Sequence, residues 1–408
     1  MKKKILYLFS IFLVVFLCIS ITNNKVKDDT NNTNITTNTY DETSWWTKKP
    51  TKYNIDNMSL EEKIAQMLII TNNKKEYDEE FKTFIKEYQP GGFILMGENI
   101  STYENTLSLV RNIKKDSKIS PFIAIDEEGG RVQRLKKLKD IKITDIPSMY
   151  DLGKTNDADL SYQIGKILAY QVRTLEVNLN FAPVLDVYNN KENKVIGDRS
   201  FSSNPNIVSK MSLNMQKSLE ENYVMPVVKH FPGHGDTEVD SHYDTPIINK
   251  TYDELLNNEL IPFITSIENN VKMIMIGHIA LPKITNSNIP ASISRVVIND
   301  ILKEKLNYNG IIITDALNMK GITNNYTEEE ICALAVTSGV DILLSPTNPK
   351  KCIESIKEKV ISKEIPLERI NESVKKILLY KELFITDNYL DKSYLNKKEY
   401  NDILKKVS

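Results

Sequence analysis

Residues 225–242 read MPVVKHFPGHGDTEVDSH. The first part, Met225 to Phe231, is a short run rich in Val that Pro232 and Gly233 cut off, which fits a buried strand better than a helix. Its polar residues, Lys229 and His230, come near the C-terminal end of the run, and a loop of glycines and ionisable side chains follows at once. In α/β proteins that edge of the sheet is where sites are built.

The same unit recurs along the chain. Met67–Thr71, Gly92–Met96, Phe122–Asp126, Leu179–Val187, Met273–His278, Ile311–Asp315 and Ile342–Ser345 are also brief and apolar, which makes eight such runs. Each is separated from the next by a stretch long enough for a crossover helix. Such alternation predicts a parallel sheet with helices outside it, and eight repeats favour an α/β fold of the (β/α)8 TIM-barrel type over an open sheet. Asp126, Asp186, His278 and Asp315 end or follow their runs as Lys229 and His230 do, which gathers polar residues at one rim. The barrel is expected to occupy 46–386 as a single catalytic domain. Its first helix is expected in MSLEEKIAQML, where Ser59 as N-cap and Glu62 three residues on form a capping box.

The flanks are of another kind. Lys2, Lys3 and Lys4 precede an apolar run from Ile5 to about Ile21, the layout of an export signal or an uncleaved membrane anchor over 1–21. Cys18 raises lipidation as a third mode of attachment, against which Leu17 stands where a small residue is wanted. Residues 22–45 are polar and rich in Asn and Thr, the composition of a disordered linker. Residues 387–408 are expected to be a charged, partly helical tail, too short for a further domain.

Composition excludes one large class of function. Lys and Arg number 53 against 54 Asp and Glu, for a net charge of −1, so no basic field exists to hold nucleic acid. Cys18, Cys332 and Cys352 make no disulfide framework, and the latter two are read as small core residues.

The segment from Lys229 to His242 holds three of the four histidines, with Asp236 and Asp240 between them. One reading is a metal site from His230, His234 and His242. Pro232, Gly233 and Gly235 argue against the helix that would bring the first two onto one face. The other is general acid–base catalysis, with Asp240 holding one ring nitrogen of His242 and keeping a proton available near neutral pH. Asp315, at the end of IIITD, is either an N-cap for a following helix or a nucleophile.

The segment KHFPGHGDTEVDSH closely resembles the signature of glycoside hydrolase family 3 β-N-acetylglucosaminidases. The resemblance covers most of the chain from MSLEEKIAQML on, taking in GGFIL, AIDEEGGRVQRL, LNFAPVLDV, IGDRSF, GIIITDALNM and GVDILLSP in the family's order. It implies that Asp315 is the nucleophile and that His242, backed by Asp240, is the acid/base. Other members take that group from a glutamate in a second domain, whereas this barrel is expected to carry the whole site.

The resemblance further implies sugar-binding roles for Asp126, Arg199, Lys229 and His230, by charge-assisted bonds to ring hydroxyls. Arg131 reads as structural support for Asp126, and His234 as shaping the loop. Asp186 and His278 end strands at the site and are candidates for sugar contact.

The implied activity is that of a retaining exo-β-N-acetylglucosaminidase, without metal, nucleotide or flavin. Its substrates would be GlcNAc-terminated oligosaccharides or muropeptides from peptidoglycan, acted on by an exported monomer. Other β-N-acetylglucosaminides and β-glucosides stay open. A neutral deprotonated histidine also leaves phosphorolysis or transglycosylation open, since it does not repel an anionic acceptor. A non-catalytic wall-binding protein on the same scaffold is the contrasting class.

Overall fold

The computed structural model describes residues 48–72, 75–237 and 244–407. The leader, the linker, Asp240 and His242 lie outside the described residues. Among the described residues no helix is long and apolar enough to cross a membrane.

Eight parallel strands follow one another in chain order around a ring. They are β1 (Leu68–Ile70), β2 (Gly92–Leu95), β3 (Phe122–Ile125), β4 (Leu179–Asn180), β5 (Met225–Pro226 resuming as Val228–Phe231), β6 (Met273–Ile276), β7 (Ile311–Thr314) and β8 (Leu343–Leu344). β8 pairs with β1, and neighbours pair onward through β2, β3 and β4 to the first part of β5. The second part of β5 pairs with β6, and β6 with β7. A single parallel bridge, Ile313 to Ile342, closes the ring between β7 and β8. This is the expected barrel.

Nearly every strand residue is buried, as required when side chains fill the inside and helices cover the outside. Gly92 opens β2 because the chains approach closely there: a Cβ at that position would stand 2.6 Å from that of Phe122. Ser59 caps α1 (Leu60–Gln66) with the expected capping box. At the end where the strands begin, Lys381 of the last long helix (Leu367–Phe384) is buried and donates to Gln66 Oε1 at 2.8 Å and Gly91 O at 2.7 Å.

Two expectations need amendment. Cys332 and Cys352 are both fully buried, but they are not separate core residues: they form a disulfide between the helices Glu328–Ser338 and Pro349–Ile361. The pairing escaped the sequence reading because one further cysteine in the leader left an odd count, and two buried thiols twenty residues apart look like ordinary packing. The C-terminal segment is partly helical, as expected, but it is no free tail. Leu395 and Tyr400 are buried, and the Leu395 carbonyl accepts bonds from Gln171 Nε2 at 3.0 Å and Thr144 N at 2.9 Å.

Candidate active site

The strands' C-terminal ends surround a cavity of about 960 Å³. Asp126 reaches it from the end of β3, Lys229 and His230 from β5, Asp315 from β7, and Arg199 from the loop after β4. All five described residues singled out as catalytic or sugar-binding therefore meet at one opening.

Charge is laid out there as a chain. Lys229 Nζ sits 2.7 Å from both Asp126 Oδ1 and Glu128 Oε1. Glu128 in turn receives Arg199 in a two-pronged bond, Nε to Oε2 and Nη2 to Oε1, each 2.8 Å. Burial would raise the Glu128 carboxyl, but the two cations hold it well below the usual carboxylate range. Burial would likewise lower Lys229 and Arg199, and their acidic partners, Asp126 and Glu128 for the lysine and chiefly Glu128 for the arginine, raise both above their ordinary values. The result is a chain of ion pairs, with charge-assisted bonds that fix every partner's direction.

Asp315 lies across the cavity. Its backbone N–H donates to Ile276 O at 2.8 Å, and Oδ1 accepts from the Ala316 N–H at 2.8 Å. The short helix that follows, Lys320–Thr323, has Met319 at its N-cap, so the capping reading of Asp315 falls. Burial would raise its carboxyl; His230, His278, the Ala316 N–H and Lys229 outweigh that and hold it below the ordinary value. Asp315 is thus an ionised, partly exposed carboxylate, the state a nucleophile needs.

Asp186 and His278 stand behind the cavity wall rather than in it. Asp186 is fully buried; its Oδ2 takes His230 Nδ1 at 2.7 Å, while Oδ1 accepts the His234 N–H at 2.6 Å and the His230 N–H at 3.3 Å. His278 is also buried, with Nε2 2.9 Å from Ala316 O and Nδ1 2.7 Å from Ser292 Oγ. A carbonyl only accepts, so Nε2 of His278 carries a proton and steadies the backbone beside Asp315. Neither residue is placed to touch a sugar; both orient the residues that line the cavity. His234 lines the cavity beside His230, and burial with the nearby His230 pushes its ring down to about 4. Among the described residues, no group of His, Cys, Asp and Glu is arranged to hold a metal.

Arg131 does not support Asp126. Its Nε pairs with Asp198 at 2.7 Å, and its Nη2 binds the carbonyls of Lys194 and Ile196. The arginine near Asp126 is Arg134, with Nη2 3.6 Å from Asp126 Oδ2. It lines the cavity, and its Nε is buried with no acceptor among the described residues. Glu128 and Arg134 were missed by the sequence reading. A signal existed for Glu128: in an extended chain residues two apart point the same way, so Asp126 and Glu128 share a side and Glu127 takes the other.

A family model described as the glycosyl hydrolase family 3 N terminal domain matches residues 59–379. The chain belongs to that family. It is 32% identical over 306 residues to a β-hexosaminidase of Haemophilus influenzae (strain PittEE), covering 73% of this chain and 85% of that one. It is also 34% identical over 283 residues to β-hexosaminidase A of Pseudoalteromonas piscicida, where the match covers 65% of this chain and only 47% of the relative. Among solved structures, a family 3 β-N-acetylglucosaminidase from Paenibacillus sp. str. FPU-7 superposes with a TM-score of 0.79 at 30% identity, covering 86% of this chain and 68% of that one.

Proposed function

We propose that the protein is a retaining exo-β-N-acetylglucosaminidase that removes terminal β-linked GlcNAc by double displacement. The observation that carries this is the pairing, across one cavity, of the ionised Asp315 with the Asp126–Lys229–Glu128–Arg199 platform. Such a platform suits the hydroxyls of one sugar ring: Asp126 accepts, Lys229 and Arg134 donate, and His230, fixed by Asp186, presents its other ring nitrogen. An Asp315 oxygen attacks the anomeric carbon as the glycosidic C–O bond breaks, and His242, oriented by Asp240, gives its proton to the departing oxygen. Water then attacks the same carbon, returns a proton to His242 and frees Asp315. His242 and Asp240 lie outside the described residues; the loop stem that leads to them, through His234, borders the cavity.

Fragments of cell wall ending in GlcNAc are the proposed natural substrates, reached by an exported chain. The basic and apolar leader supports export, and so does the Cys332–Cys352 disulfide, a bond that persists in oxidising compartments. The test is hydrolysis of p-nitrophenyl N-acetyl-β-glucosaminide beside the corresponding β-glucoside, for wild type and Asp315→Ala. Preference for the acetamido sugar, with a loss of at least about 10³-fold in the variant, is the expected result. Activity on neither substrate, or an Asp315→Ala variant as active as wild type, would overturn the reading.

A further inference from the structure

The barrel carries another cavity at its opposite end, with a volume of about 640 Å³. It lies where Met225 opens β5 and Lys272 leads into β6, at the edge of the sheet away from Asp315. The helix Pro205–Glu221 forms one wall, and the end of the last long helix, at Leu383 and Phe384, forms another. Gln216 of the first helix lines the cavity and is 2% exposed, yet its Oε1 is buried without a hydrogen-bond partner among the described residues. Leaving a buried acceptor unpaired is costly, and a donor arriving from the cavity relieves that cost.

Three features narrow the kind of donor. First, the charges on the walls are already matched. Lys272, itself buried, has Nζ 2.6 Å from Glu220 Oε1, and Lys217 Nζ lies 3.8 Å from Glu221 Oε1, so neither a phosphate nor a polycation is favoured. Second, Asn214 and Asn269 each donate Nδ2 to the carbonyl four residues back, Lys210 O at 2.9 Å and Thr265 O at 2.8 Å, which leaves each an acceptor oxygen to offer. Third, Tyr223 lines the cavity and is 43% exposed, with the Arg173 guanidinium over its ring at 5.2 Å from the centroid. An aromatic face beside several acceptors suits a neutral ring with C–H bonds on its face and hydroxyls or amide N–H groups around its edge. We propose that this cavity is a second, non-catalytic saccharide-binding site, in which Gln216 Oε1 accepts from the sugar and Tyr223 packs against its ring. A glycan held there keeps the enzyme near further chain ends. The choice of GlcNAc as the test sugar rests on the activity proposed above; the site itself does not.

Methionine methyl groups report the two cavities separately by NMR. Met225 lines this one, whereas Met96, Met275 and Met319 line the active site. Asp315→Ala protein, which should not consume the ligand, is titrated with N,N′-diacetylchitobiose. A saturable Met225 shift with a Kd of about 1 mM is expected. Gln216→Leu removes the acceptor, and Tyr223→Asn removes the ring while tolerating the left-handed backbone at that position, where φ is 61°. In the Asp315→Ala background each should weaken the Met225 titration at least about 10-fold and leave those of Met275 and Met319 unchanged. With Asp315 intact, each should keep kcat/KM on the aryl glycoside within about 2-fold of wild type. A silent Met225 while Met275 and Met319 respond would overturn the proposal. So would an equal Met225 response to glycerol, or a Met225 titration unaltered in both variants. A Met225 response with Met275 and Met319 silent would support this site and count against the reading of the active site.

Discussion

At the scale of single residues, Glu128 is the centre of the platform though it need not meet substrate. It neutralises two cations, Lys229 and Arg199, that would otherwise be buried beside each other. Replacing one partner of a buried ionic cluster costs about 3–5 kcal/mol. Glu128→Gln is therefore expected to lower the unfolding free energy obtained from urea denaturation by that order and to raise KM more than it lowers kcat, because Lys229 and Arg199 lose their aim while Asp315 is untouched. A variant with unchanged KM and a selectively lost kcat would contradict this assignment. Asp126, Lys229, His230 and Asp315 could be placed at the cavity from their position at strand ends, and Arg199 from the family resemblance alone. Strand-end position does not say whether a side chain looks into the cavity or away from it, which is why Asp186 and His278 were legible as neighbours of the site but not as supports. Arg131 and Arg134 are three residues apart in one hairpin segment, and only the folded turn reveals which of them approaches Asp126.

At the scale of elements, the eight strands were readable because each carries its own apolar run and its own rim residue. Their ends were less so. Leu179–Val187 is mostly apolar, yet only Leu179–Asn180 is regular strand, and further along the run Asp186 bonds His230 instead of ending a strand. The Cys332–Cys352 link was illegible because pairing depends on how two helices pack, not on spacing. It closes a loop with a sequence separation of 20, which the chain-entropy model makes worth about 3 kcal/mol. Cys332→Ser is expected to lower the denaturation midpoint accordingly while leaving kcat/KM within about 2-fold, because both helices lie outside the barrel wall. Activity lost along with the disulfide would mean that these helices shape the site. Gly235→Ala is a sharper probe of the rim: with its Cβ driven into the Val187 carbonyl, the stem must shift, and a kcat loss of about 10²-fold is expected from even a 1 Å displacement. Wild-type kcat in that variant would show that the loop tolerates the shift.

At the scale of the whole molecule, stability against pH follows from a few buried groups. His234 is held down to about 4 from an ordinary 6.5, so the unfolded chain takes up that proton before the folded one does. Its contribution is complete above about pH 6.5 and is lost as pH falls toward 4. Glu128, Asp186 and Asp315 are also held low, and their share is lost further down as they protonate. Glu127 runs the other way: burial pushes its carboxyl up to about 8, so the stability it adds in acid is lost as pH rises through that value. Urea midpoints are therefore expected to fall in two stages below pH 6.5, and Glu127→Gln is expected to flatten the decline on the alkaline side. An alkaline limb unchanged in Glu127→Gln would remove that residue as its cause.

The ring closes through one bridge between β7 and β8 and two residue pairs between β8 and β1, the first and last strands in the chain. Until Leu343 and Leu344 are in place, β1 offers the row of unpaired amides and carbonyls that invites another chain to add a strand. A nascent chain emerging from the ribosome would hold that exposed border through most of its synthesis. A truncation anywhere before residue 343 should accordingly yield sticky, self-associating protein rather than a smaller working barrel.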